Sequence, residues 1–287
     1  MSKPFKEKAR GWFINRAENK GIRWREITNF YQSKFVKKKL DIIFSDLDNN
    51  MTYPKYYTKS FHGYDEGNLN WLASYENEAS TISMSSRYFK DTSPEKSSLF
   101  IRKNFTDKIL SYSEKMNFDN VLDVGCSIGI STEYLNDLIP GNKNITGLDL
   151  SPYFISVAKF NNWRKKLNID YIFENAEDTK LKNNSFDLIC SSFMFHEVPP
   201  QARKNIIKEM KRLLKPGGII SILDLDPEKL LKKLKKDNWR KVAFESTEPH
   251  IYTYYDCNMI EELSNFNLKN ILKFDNDPYN SVWICKK

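Results

Sequence analysis

The stretch NVLDVGCSIGIST, residues 120–132, combines residue types that can hold a small ligand against the main chain. Val121, Leu122 and Val124 suit a buried parallel strand. Gly125 and Gly129 let the backbone come close to a ligand that side chains would block. The residues that follow open a helix, whose first amides and dipole favour an anionic group. A flat or charged ligand is therefore expected on the turn. Spacing decides between ligand classes. A dinucleotide fingerprint requires G-x-G-x-x-G, whereas these two glycines stand four apart with Ser127 where a middle glycine would fall. The nicotinamide reading fails on that count.

Asp123, two residues before the first glycine, has no place in the dinucleotide fingerprint. With it the segment resembles the first motif of the class I S-adenosylmethionine (SAM)-dependent methyltransferases, of the small-molecule type. Ser127 stands at the central position of the family's usual G-x-G-x-G, where Ser or Ala is tolerated. Further signals follow in the family's order: NITGLDLSP, a short apolar strand ending in Asp149; YIFENAEDTKL; NNSFDLICSSFMFHEV; and RLLKPGGIISILD. The resemblance covers residues 93–287. It implies that Asp123, Gly125, Cys126, Ser127 and Gly129 cradle SAM, with the cofactor carboxylate on the amides near Ile128 and Gly129. It also implies that Asp149, beside Leu150, accepts the ribose hydroxyls, that Asn175, Ala176 and Glu177 face the adenine edge, and that Ser191 borders the cofactor. Methyl transfer requires no metal, and none is expected.

Short apolar strands alternating with helical patterns of 10 to 16 residues predict an α/β fold, a parallel sheet with helices on both faces. The resemblance makes it Rossmann-like and doubly wound, with seven strands, the last antiparallel, plus a mainly helical N-terminal extension. Ser93, Pro94 and Glu95 read as an N-cap, a first-turn proline and an acid at the positive end of a helix dipole. That cap divides the chain into an extension, 1–92, and a methyltransferase domain, 93–287. Ser151 and Pro152 repeat the cap. After Pro200, the spacing of Ala202, Ile206, Met210 and Leu213 predicts one buried helix face, with residues 215–218 as its stop. LKNILKF and SVWICK close the chain as a hairpin.

Acceptor chemistry falls to the residues after the fourth strand, 191–197. The run SSFM lacks the (Asp/Asn)-Pro-Pro-aromatic pattern of adenine amino methylation, and Cys190 lacks the preceding proline of a cytosine C5 nucleophile. His196, one of only three histidines, is the first general-base candidate. Glu197 is expected either to orient its ring or to cap the next helix. A second candidate group is FHGYDEGN, with His62, Tyr64, Asp65 and Glu66. A third is TEPHIYTYY, with Glu248, His250, Tyr252 and Tyr255.

Residues 1–40 hold twelve Lys or Arg against three Glu, in a chain whose net charge is +8. Ile27, Tyr31, Phe35, Ile42 and Ile43 mark one basic amphipathic helix there, followed by an irregular, aromatic-rich stretch to residue 80. This extension reads as a cap over the substrate. A basic arm is also what an RNA-associated methyltransferase or RNA-binding protein would use, although nucleic acid is the less favoured partner, and a cofactor-binding pseudoenzyme is the third alternative. The main reading is methylation of a small organic molecule at O, N or C, planar or partly apolar. Four cysteines spaced 64, 67 and 28 residues apart form no CxxC pair, so reduced thiols are expected. No apolar run approaches the roughly 20 residues of a transmembrane helix, and no secretory leader opens the chain. A cytoplasmic protein is the expectation, and oligomeric state has no signal.

Overall fold

The apolar strand runs assemble into the centre of a single sheet. The computed structural model describes residues 3–47, 50–89, 91–113, 117–236 and 238–287. Met1 and Ser2 of the basic arm and Asp237 of the Lys-rich run 228–241 lie outside the described residues. Helices α1 (Lys3–Glu18), α2 (Trp24–Gln32), α3 (Lys34–Ser45) and α4 (Trp71–Ser85) form the extension. Then come α5 (Pro94–Ser113), β1 (Asn120–Val124), α6 (Ile130–Leu138), β2 (Asn144–Asp149), α7 (Pro152–Lys165), β3 (Ile169–Phe173) and β4 (Phe186–Ser192). A 3-10 turn, Phe195–Glu197, leads to α8 (Pro200–Leu213) and β5 (Leu214–Leu225). The chain closes with α9 (Pro227–Leu234), α10 (Asn238–Glu245), α11 (Ile251–Tyr255), α12 (Met259–Ser264), β6 (Lys269–Asp275) and β7 (Asn280–Lys286).

Strand order is β3-β2-β1-β4-β5-β7-β6. The first five strands are parallel, and β7 runs antiparallel to both β5 and β6. Alternation along each strand sends neighbours to opposite faces. Leu122, Ile189, Ile220 and Ile222 meet the α8 face, whose Ala202, Ile206, Met210 and Leu213 are all buried as their spacing predicts. Val121, Leu188, Ile219 and Leu223 pack under Ile101, Phe105 and Ile109 of α5. Each such aliphatic side chain contributes about 1.5–3 kcal/mol on burial. Chain progression reverses between β1 and β4, and a crevice outside the carboxyl ends of strands at such a switch point is where open α/β sheets take ligands. Register sets Val124 beside Ser191 there.

Three local expectations change. The single basic helix is two, because Ser33 is extended and resets the helical phase. The buried stripe of α3 is therefore Val36 and Leu40 with the partly buried Ile43, at steps of four and three, while Phe35 is 63% and Ile42 50% exposed. The end of the aromatic stretch is not irregular: Asn70 accepts from the Ala73 amide and caps α4. Residues 215–218 open β5 rather than form a separate turn, since α8 ends one residue before the strand begins.

The extension packs onto α7 through Tyr31, Val36, Leu40, Ala73 and Tyr75 against Phe154, Val157 and Phe160, and this cluster includes Ile128 of the glycine turn. A buried carboxylate, Glu76, gathers its parts. It accepts from Tyr64 Oη at 2.6 Å, Trp24 Nε1 at 3.1 Å and Arg10 Nε at 3.1 Å. Three donor side chains are thus satisfied by one carboxylate, and removing it strands all three. Glu76→Ala is expected to cost about 3 kcal/mol, read as a lower denaturant midpoint; a midpoint equal to wild type would show that Glu76 does not hold the extension together.

Candidate active site

The turn between β1 and α6 is built by backbone commitments. The amides of Gly125 and Cys126 both donate to the Leu148 carbonyl, at 2.8 and 2.9 Å, which ties the turn to β2. Gly125, Ser127 and Gly129 all have left-handed φ, 75°, 53° and 89°. A Cβ on Gly125 would lie 2.6 Å from Met194 Sδ, and one on Gly129 would lie 2.3 Å from Tyr171 Oη. The glycines are thus demanded by the turn and by these two side chains. Contrary to expectation, the Gly129 amide is not free for an anion, because it donates to the Cys126 carbonyl at 2.9 Å. Cys126 is a buried small residue, and burial pushes its thiol well above the usual range.

Asp149 ends β2 with its carboxylate held on both oxygens: Oδ1 accepts from the Ser151 amide and Oδ2 from the Ser127 amide, each at 2.8 Å. A carboxylate has about four lone-pair sites, so acceptor capacity remains for a diol. Burial raises Asp149 to about 6 against the pull of those amides. Asp123 is raised by burial to about 7, its Oδ2 accepting from Thr132 Oγ1 at 2.7 Å. Asp123 Oδ1, Ser127 Oγ, Ser191 Oγ and Ser192 Oγ are buried without a hydrogen-bond partner. Such orphaned groups call for an explanation, and four of them at the carboxyl ends of β1 and β4 fit a polar ligand. Leu150 is buried, while Asn175, Ala176 and Glu177 line the turn after β3 half-exposed.

The acceptor side is organised by a residue absent from the sequence-derived set. Asp224, near the end of β5 and fully buried, takes His196 Nδ1 at 2.6 Å on its Oδ1. Its Oδ2 accepts from the Phe195 and His196 amides at 2.7 and 3.3 Å. Glu197 neither orients His196 nor caps α8, whose N-cap is Pro199 without a side-chain bond. Burial opposes charge on His196, but the facing Asp224 carboxylate overrides it and raises the imidazole to about 9. Fixing Nδ1 as the donor leaves Nε2 for chemistry. The signal in the sequence was an acid in the otherwise apolar run ISILDL.

The extension enters the site through residues 56–68. Tyr56 Oη donates to Glu177 at 2.8 Å, and Ser151 Oγ donates to the Asn68 carbonyl at 2.7 Å. Burial, with the charges of Asp149 and Glu197 adding to it, holds the Tyr57 phenol well above the usual range. His62 Nε2 stands 2.9 Å from Glu248 Oε1 and 3.8 Å from Glu197 Oε1. His196, Glu197, His62 and Glu248 are therefore brought together, whereas Tyr64 is turned to Glu76 instead. Tyr252 and Tyr255 bond Glu245.

Residues 121–218 match the family model described as a methyltransferase domain. The chain is 36% identical over 105 residues to an uncharacterized methyltransferase of Synechocystis, covering 37% of this chain and 46% of that one. It is 29% identical over 157 residues to a ubiquinone biosynthesis O-methyltransferase of Colwellia psychrerythraea, covering 53% and 62%. The chain thus spans about half the length of these curated relatives. The solved structure of the PH0226 protein from Pyrococcus horikoshii shares the fold, with a TM-score of 0.51 and 17% identity over 70% of this chain and 95% of that one. Residues 121–218 thus carry the match to a methyltransferase domain, and the sheet order and the glycine turn agree with the class I SAM-dependent type. The cofactor of that class is SAM.

The Asp224–His196 pair has a direct test. The His196 ring should titrate near 9 by NMR in the wild type. In Asp224→Asn burial, which disfavours the cation, is opposed only by the weaker pull of Glu197 and Glu248, so the value should fall from about 9 toward the ordinary 6.5 or so. An unchanged value would remove Asp224 as the cause.

Proposed function

We propose that this protein transfers a methyl group from SAM to a small organic acceptor, with His196 as general base and Asp224 as its positioning residue. The observation that carries the reading is an imidazole fixed by a buried carboxylate, in the segment that packs on the cofactor turn through Met194. SAM supplies an electrophilic methyl group on a sulfonium. The residues fit it: Asp149 has acceptor capacity for the ribose diol, Leu150 and residues 175–177 supply an adenine wall, and the buried orphan oxygens of Asp123, Ser127 and Ser191 await polar partners.

The protein's tasks are alignment, water exclusion and proton removal. In its neutral form, whose share grows as pH rises toward its titration near 9, His196 takes the acceptor's proton at Nε2, while Asp224 keeps Nδ1–H in place and stabilises the imidazolium that results. Residues 56–68 cap the site, with Tyr56 on Glu177 and the Asn68 carbonyl on Ser151. Oxygen is the acceptor atom named for the ubiquinone-biosynthesis relative, and it stays within this reading with nitrogen and carbon.

Calorimetry on the full chain tests the cofactor half. SAM should bind the wild type in the micromolar range and not bind Asp149→Ala. Because Asp149 must be ionised to accept both hydroxyls and titrates near 6, affinity should fall by up to about tenfold per pH unit below that value; a flat profile from about pH 5 to about pH 7 would remove Asp149 from the ribose. His196→Ala should retain SAM affinity and lose about 10²-fold or more in turnover. Undiminished turnover would exclude His196 as the base.

A further inference from the structure

Among the described residues the cluster around His196 and His62 holds more carboxyl groups than cationic side chains. Asp224 is matched by His196. Glu197 and Glu248 share one imidazole, that of His62, at 3.8 and 2.9 Å. Glu248 is only 4% exposed, and its Oε2 is buried with no hydrogen-bond partner. Both carboxylates stand within 3.8 Å of the same His62 Nε2, so they converge on one space. Buried carboxylates ordinarily find a cation or a full set of donors, and here one oxygen has neither.

The cation already present is a provisional one. His62 comes from the extension, its side chain is 42% exposed, and its φ of 50° is strained for a residue with a Cβ. The next residue, Gly63, is also left-handed at 85°. The loop is held by the His62 amide on the Thr247 carbonyl at 3.1 Å, so the imidazole can swing aside while the backbone stays. An aromatic ring flanks the position, the Phe61 centroid lying 3.8 Å from that of His62, and a second, Tyr56, stands edge-on to His250, two residues from Glu248, at 5.9 Å. Carboxylates with aromatic walls suit an organic ammonium. The same carboxylates repel an acceptor that enters as an anion.

We propose that the acceptor carries a cationic nitrogen, a protonated amine or an alkylammonium, seated between Glu248 and Glu197 in the position His62 holds. This rests on the methyl-transfer reading and specifies its substrate class. The nitrogen is the recognition handle, and His196, on the far side of Glu197, addresses the atom to be methylated.

Two probes of like size and opposite charge, phenethylammonium and phenylacetate, test it by calorimetry on the full chain, with and without SAM. The cation should bind at least about tenfold more tightly than the anion. Glu248→Gln should remove most of that preference and Glu197→Gln part of it, with SAM affinity unchanged in both. Equal or tighter binding of phenylacetate, binding of neither probe, or full cation preference in both variants overturns the proposal. Should cation preference hold while SAM fails to bind, the cation site stands and the methyl-transfer reading falls.

Discussion

The Asp224 carboxylate is the constraint on which the acceptor side depends. It receives the Phe195 and His196 amides, the His196 ring and the Leu225 amide, the last at 2.6 Å. One buried group thereby joins the end of β5 to the turn after β4, fixes the path of that turn and selects the tautomer of its imidazole. Such a carboxylate is expensive to bury alone and favourable only when its lone pairs are filled, as they are here. The position of Met194 against Gly125 follows from the same turn, so the acceptor side and the cofactor turn are set by one network.

The extension is integral to this arrangement. Its helices share a core with α7 and with Ile128 of the glycine turn. Glu76 holds Tyr64, and with it the loop that delivers His62, while Tyr56 and Asn68 reach Glu177 and Ser151. Part of its basic charge is engaged within the molecule: Arg10 pairs with Glu76 and Arg25 with Glu18, and Lys39 lies over the Trp163 ring at 4.8 Å.

The domain was legible because its signals are local. A buried parallel strand reads as an apolar run, a left-handed turn reads as glycine, and a helix face reads as steps of three and four; β1, the turn at 125–129 and α8 show each in turn. The extension was less so. Ser33 breaks a pattern that looks continuous, and the choice between Phe35 and Val36 as the inward residue depends on the helix phase after that break. Asp224 escaped because an acid in a strand looks the same whether it faces solvent or a histidine 28 residues away.

By itself the sequence determined the parallel sheet, the glycine turn and Asp149 at the end of β2, since each follows from short-range pattern along one element. Only the tertiary structure decided which carboxylate serves which imidazole. Asp224 with His196, and Glu248 with His62 across 186 positions of chain, are pairings between elements. Charge interactions act through space rather than along sequence, so their partners exist only once the sheet and the extension have closed on one another.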